Sequence, residues 1–391
     1  MRRRHFIELS AGLSAAALLP GTAWGLPTFA RAHIVVVGGG IVGASIAYHL
    51  IRRGVSVTVC EKTRPAAGAT ANSFAWINST YSKEPRSYYD LNVMGMAGWR
   101  RLDLEFSGEL KVQWGGCVEW YPAGAEADTL RKEVIRAQQW GYAAHLVQAT
   151  EFGRLLPSVR PGSMAAASFC EREGTVDPVY VTQTILAKAK QLGARTLYPC
   201  EVTGLVRSGN RVSAVETSEG RFELHALVLA SGVDTPRLAA MADVRVPLKD
   251  SPGVLAHAAP TARLLDRVAL GPQAHMKQNP DGRVVTGSDF GGTPTTDASR
   301  ETGEKLLAHA AAYLPGLAHA KLERVTLGWR VMPQDEYPIL GFAEPRCPNL
   351  YVAATHSGVT LAPLIGQFAA AEILDGARVG MLEPYRLSRF G

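Results

Sequence analysis

The run Ile34-Val35-Val36-Val37-Gly38-Gly39-Gly40-Ile41-Val42-Gly43 constrains this chain more than any other. Four β-branched residues predict a short buried strand, and residues 44–53 behind the glycines suit a helix. The spacing Gly38-x-Gly40-x-x-Gly43 gives each glycine a task. Gly38 permits the tight turn, Gly40 lets the backbone approach a diphosphate, and Gly43 lets the helix pack close to the strand. Free N–H groups at the helix start, around Ile41 and Val42, combine with the helix dipole to hold the anion. Gly54 closes this helix. A second strand over residues 55–60 delivers Glu61 and Lys62, the acid 18 residues beyond Gly43, where a carboxylate can grip a ribose diol. An acid there disfavours a 2′-phosphate, which leaves FAD or NAD rather than NADP. A glycine-rich turn without a ligand is the alternative; strand, helix and acid at their proper distances argue against it.

At 391 residues the chain can form two or three domains with ample core. Its net charge of +6 comes from scattered Lys and Arg, with no basic block to mark a nucleic-acid partner. Residues 1–30 stand apart. Arg2-Arg3-Arg4-His5-Phe6-Ile7 precedes an apolar run over 9–19, too short to be a stable membrane span. The pattern resembles a twin-arginine signal segment, so a periplasmic location is expected; a basic arm on a cytoplasmic protein is the alternative. Cys60, Cys117, Cys170, Cys200 and Cys347 show neither metal spacing nor a disulfide framework, and no metal is expected.

Further along, residues 65–78 are small, polar and irregular, a backbone suited to lie against a flat ligand. Helical spacing over 86–106 predicts a long amphipathic helix. Residues 112–120 read as a strand and 129–140 as a helix. Asp177-Pro178 reads as an N-cap with proline at the first helical position, opening a helix to residue 191. Strands over 195–198 and 201–206 and a hairpin over 210–224 follow. Residues 226–232 then form a buried strand ending in a small-residue turn. The spans 284–287 and 350–354 read as strands, 299–314 and 361–374 as helices, and 328–341 as turn-rich.

Four separated motifs carry a resemblance. They are the glycine fingerprint with Glu61, Gly174-x-x-Asp177-Pro178, Val228-Leu229-Ala230-Ser231-Gly232, and Arg330…Asp335…Pro338-Ile339-Leu340-Gly341 with Ser357-Gly358-x-x-Leu361-Ala362-Pro363. In this order the chain resembles the FAD-dependent D-amino acid oxidase superfamily, on the side of the glycine and sarcosine oxidases and D-amino acid dehydrogenases. The resemblance implies an α/β fold, α+β in part: a Rossmann-like FAD-binding domain with an inserted, mostly antiparallel β-sheet substrate domain. The expected division is FAD-binding over 31–108, 171–244 and 329–391, with substrate-domain inserts at 109–170 and 245–328.

The resemblance also implies roles. Thr70, Ala71 and Ser73 would contact diphosphate and flavin, Val202 the adenine, and Ser231-Gly232 the dinucleotide. Ser357, Gly358, Val359 and Thr360 would face the flavin N1–C2=O edge from a helix N-terminus, where reduced flavin carries negative charge. Arg330 would border the cofactor and pair with a substrate carboxylate; His356 would line the flavin pocket. Val331 stands where the family carries proline. Relatives that tether flavin use a cysteine near positions 328–329, here Gly328 and Trp329, so non-covalent FAD is expected. The implied activity is oxidation of the C–N bond in a small amino acid or secondary amine, by hydride transfer to flavin N5. Oxygen or a quinone would accept the electrons. An NAD-linked dehydrogenase and a non-enzymatic flavoprotein are the rival readings.

Overall fold

The computed structural model describes residues 32–80 and 83–391. The signal segment expected over residues 1–30 lies outside the described residues. Strand β1 (His33–Val37) leads through the glycine turn into helix α1 (Ile41–Ile51), and strand β2 (Ser56–Cys60) returns parallel to it. Both strands lie inside a six-stranded sheet ordered Ile339–Ala343, Cys347–Ala354, Ala226–Leu229, β1, β2 and Arg195–Leu197. Neighbours are parallel except the first pair.

Such a sheet is covered on both faces, which explains the unbroken apolar runs in its strands. Ile34 and Val36 face one core with α1, the helix α2 (Arg86–Glu105), the helix Pro178–Gln191 and the C-terminal helix Gly358–Asp375. Val35 and Val37 face the other, closed by the three strands of Val202–Ser208, Arg211–Thr217 and Gly220–Glu223. Asp177 caps its helix, accepting bonds from the N–H groups of Val179 and Tyr180 at 3.0 Å each. At the far end of the chain, Arg386 grips the buried Glu372 of the C-terminal helix with two bonds. Tyr351 donates to the same carboxylate at 3.0 Å.

A second, eight-stranded sheet runs Leu322–Trp329, Pro252–Ala258, Val284–Gly287, His275–Gln278, Val268–Leu270, Cys117–Tyr121, Ala166–Cys170 and Ala144–Leu146. It is antiparallel except where Val268–Leu270 runs parallel to Cys117–Tyr121, in the register Val268 to Cys117. That one parallel ladder joins strands from either side of the 171–244 segment. The stretch over 328–341 read as turns begins inside the strand Leu322–Trp329, which pairs along its length with Pro252–Ala258. Phe74 and Trp76 pack with Leu255, Val268 and Val285 of this sheet, so the irregular 65–78 segment lies between the two sheets. No helix among the described residues is long and apolar enough to cross a membrane.

Candidate active site

Between the sheets lies a cavity of about 460 Å³. The glycine turn forms its middle. Gly38 holds a φ of +110°, and a Cβ on Gly43 would overlap the Gly38 carbonyl oxygen, so only glycine lets α1 start this close to β1. Gly43 therefore lies beneath the cavity while Gly38, Gly40, Ile41 and Val42 line it. Gly40 sits at the N-cap of α1 without a side chain to cap it. Thr70 Oγ1 accepts the Ile41 N–H at 3.1 Å and keeps its own hydrogen for a guest.

One end is marked by acids. Glu61 lines it, accepting from the Gly39 N–H at 2.8 Å and from the Thr63 N–H at 2.9 Å. The Thr63 hydroxyl also donates to it, at 3.1 Å; a carboxylate has about four acceptor positions, so one remains for a ribose hydroxyl. Lys62 sits beside it, 3.6 Å from Asp234, and Val202, Ser231 and Gly232 complete this wall. Cys60 and Cys200 also line this end, and Cys200 N–H donates to the Glu61 carbonyl at 2.8 Å. Ser73 lines the cavity, and beside it the Ala71 N–H bonds the Ala66 carbonyl at 2.9 Å.

The opposite end is cationic and aromatic. It is lined by Trp76, Asn78, Lys83, Phe290, Arg330, His356 and the helix start Ser357 to Thr360. Arg330 is anchored by its N–H to the Ser251 carbonyl at 2.8 Å, yet its guanidinium makes only a 3.4 Å bond, from Nη2 to the Pro252 carbonyl. Its Nε is buried without a hydrogen-bond partner among the described residues. Gly291 lies against it, and a Cβ there would meet Arg330 Nη1, so the guanidinium would have to shift. Burial, aided by the positive charges of Lys83 and Arg330, pushes the His356 imidazole down to about 3, so it is neutral at working pH. Thr360 Oγ1 is tied to the loop, donating to the Trp76 carbonyl and accepting from the Asn78 N–H, both at 3.3 Å. Cys347, the cysteine next after Arg330, lies in the core behind the sheet, 3.7 Å from Asn349 Oδ1 and away from the cavity.

Sequence reasoning missed Lys83. Its ammonium is buried and donates to Ser357 Oγ at 2.8 Å. Burial pushes it down to about 8, against the pull of Glu173. It also missed Glu173, fully buried at the back of the 65–78 segment and accepting from Thr80 Oγ1 at 2.6 Å and Tyr142 Oη at 3.2 Å. Burial pushes that carboxyl up to about 7. Neither residue carries a local signal, because its burial arises only when distant segments meet.

The residues fit an extended dinucleotide. Acceptors for a ribose lie at one end, uncapped helix N–H groups in the middle, and orphaned buried atoms (Arg330 Nε, Thr355 Oγ1, Asn78 Oδ1) at the other. Comparison with known proteins agrees. The family described as FAD dependent oxidoreductase matches residues 33–372. The chain is 26% identical over 381 residues to the bifunctional protein ThiO/ThiG of Trichormus variabilis, covering 91% of this chain and 55% of that protein. It is thus similar to about half the length of that relative. It is 26% identical over 372 residues to the sarcosine oxidase subunit beta of Rhizobium meliloti, covering 91% and 88% of the two chains. The crystal structure of a glycine oxidase from Geobacillus kaustophilus superposes with a TM-score of 0.82 at 23% identity, covering 92% and 99%. That last likeness concerns the fold.

Proposed function

The chain belongs to the FAD-dependent oxidoreductase family, and from that premise we propose that it oxidises the C–N bond of a small amino acid or secondary amine bearing a carboxylate. Family membership makes FAD the cofactor and sets aside both the NAD-linked and the non-enzymatic readings. A sarcosine oxidase subunit among the relatives supports an amine substrate. The observation that carries the proposal is Arg330: a guanidinium lining the ring end of the cavity, with a buried Nε that no group among the described residues satisfies. A planar, bidentate anion is what such a fork selects, and a carboxylate is the commonest one.

The expected holders of FAD are Glu61 at the ribose, Gly40 to Val42 and Thr70 at the diphosphate, and Ser357 to Thr360 at the ring, all without a covalent bond. When bound, FAD supplies the two-electron acceptor for the carbon beside nitrogen. The protein supplies position. Arg330 fixes the carboxylate, and Phe290 and Trp76 wall the space beside it. Neutral His356 offers a single hydrogen bond without competing for the anion. No side chain here is assigned as a general base; orientation carries the rate.

The deciding experiment is an anaerobic screen of D-amino acids, glycine, sarcosine and other N-alkyl amino acids for bleaching of the bound flavin. One of these bleaching the wild type, and failing with Arg330→Ala while FAD stays bound, supports the proposal. A flavin that none of them reduces overturns it.

A further inference from the structure

Lys83 belongs to none of the motifs that frame the cavity, yet it reaches the ring end from the loop before α2. Its Nζ donates to Ser357 Oγ at 2.8 Å and stands 5.2 Å from the centre of the Tyr88 ring. Tyr88 Oη lies 2.6 Å from the same Ser357 oxygen. Ser357 occupies the N-cap position of an 18-residue helix, but its hydroxyl caps no backbone N–H. A hydroxyl has two lone pairs and one hydrogen. Lys83 donates into one pair, and the Tyr88–Ser357 bond can run either way; where Tyr88 donates into the other pair, the Ser357 hydrogen is left for a guest in the cavity. Behind it stand a buried ammonium and the positive end of a helix.

The direction of the cofactor follows from the acids at the other end. With the ribose held at Glu61 and the diphosphate at Gly40 and Ile41, His356 and Ser357, which line the other end, would hold the isoalloxazine. Of its polar edges, N1–C2=O is the acceptor that gains negative charge on reduction, so it is the edge that a cation-backed donor selects.

We propose that Lys83, acting through Ser357, places a positive charge beside the N1–C2=O edge of bound FAD and so sets how readily the flavin accepts electrons. It is a positioning residue, and a source of charge separate from the helix. This rests on FAD as the cofactor and not on the substrate proposed above.

The test uses purified, FAD-loaded protein without substrate. Sulfite adds to oxidised flavin more tightly as positive charge near N1 increases, and the reduction potential moves the same way. In Lys83→Met the sulfite dissociation constant should rise roughly tenfold or more, the size expected for one charge a few ångströms away in a partly screened site. Tenfold in the two-electron equilibrium corresponds to a potential about 30 mV lower. Should Lys83→Met fail to retain FAD, Ser357→Ala decides the question, with sulfite affinity falling several-fold. An unchanged sulfite constant and potential in a variant that holds FAD overturns the proposal. So does a variant in which only substrate-analogue binding weakens, since Lys83 would then serve the substrate. A wild type that binds FAD and sulfite but oxidises no amine would defeat the substrate reading alone.

Discussion

Arg386 and Glu372 form a two-bond ion pair, Nη1 to Oε2 at 2.9 Å and Nη2 to Oε1 at 2.5 Å, buried where the C-terminal tail crosses the C-terminal helix. Tyr351 of the central sheet and the Val379 N–H bond the same carboxylate, so the tail, the helix and the sheet share one polar knot.

Removing one partner leaves the other charge buried alone. Arg386→Ala should cost about 3–5 kcal/mol of stability, as breaking a buried pair does. The double change to Arg386→Met and Glu372→Met should recover much of that loss. Urea unfolding of the two variants checks the difference; equal stabilities would show that the pair is not desolvated as described.

Arg330→Lys keeps the charge and loses the fork. FAD content should stay near that of the wild type while substrate reduction of the flavin slows by about a hundredfold, within the range for truncating a buried charged hydrogen-bond partner. Stopped-flow bleaching under anaerobic conditions measures it.

Gly43→Ala tests the close approach of α1 to β1. The added methyl overlaps the Gly38 carbonyl, and the helix must shift at a cost of about 1–3 kcal/mol. The purified variant should be pale and melt at lower temperature, as flavin absorbance and thermal unfolding will show.

Glu173 gives a pH dependence. Its carboxyl is pushed up to about 7 from 4.5, so the folded chain holds an extra proton between those values. The corresponding stability is fully present below pH 4.5 and is lost as pH rises through 7, amounting to up to about 3 kcal/mol. Glu173→Gln keeps the neutral form at every pH. Its unfolding free energy should therefore fall less between pH 5 and pH 8 than that of the wild type.

Local chemistry was readable in the sequence and assembled chemistry was not. The helix opened by Asp177-Pro178 ends at Gln191 in both readings, because capping, proline and the closing glycine act within a few residues. The glycine turn and Glu61 were equally plain, their spacing being the mechanism itself. The strand Pro252–Ala258 went unread, since its partner Leu322–Trp329 lies some seventy residues away and its own pattern is apolar without a period. Lys83 sits in a polar run, Ser82-Lys83-Glu84-Pro85, that looks like any surface loop. Only the arrival of the C-terminal helix, more than 270 positions later, turns it into a buried ammonium.

The ladder between Val268–Leu270 and Cys117–Tyr121 carries a consequence for how this molecule is made. During synthesis the strands around residue 118 emerge with an open edge and wait for about 150 more residues before their neighbour leaves the ribosome. Until then that apolar rim is a place for a chaperone to hold or a stray chain to pair.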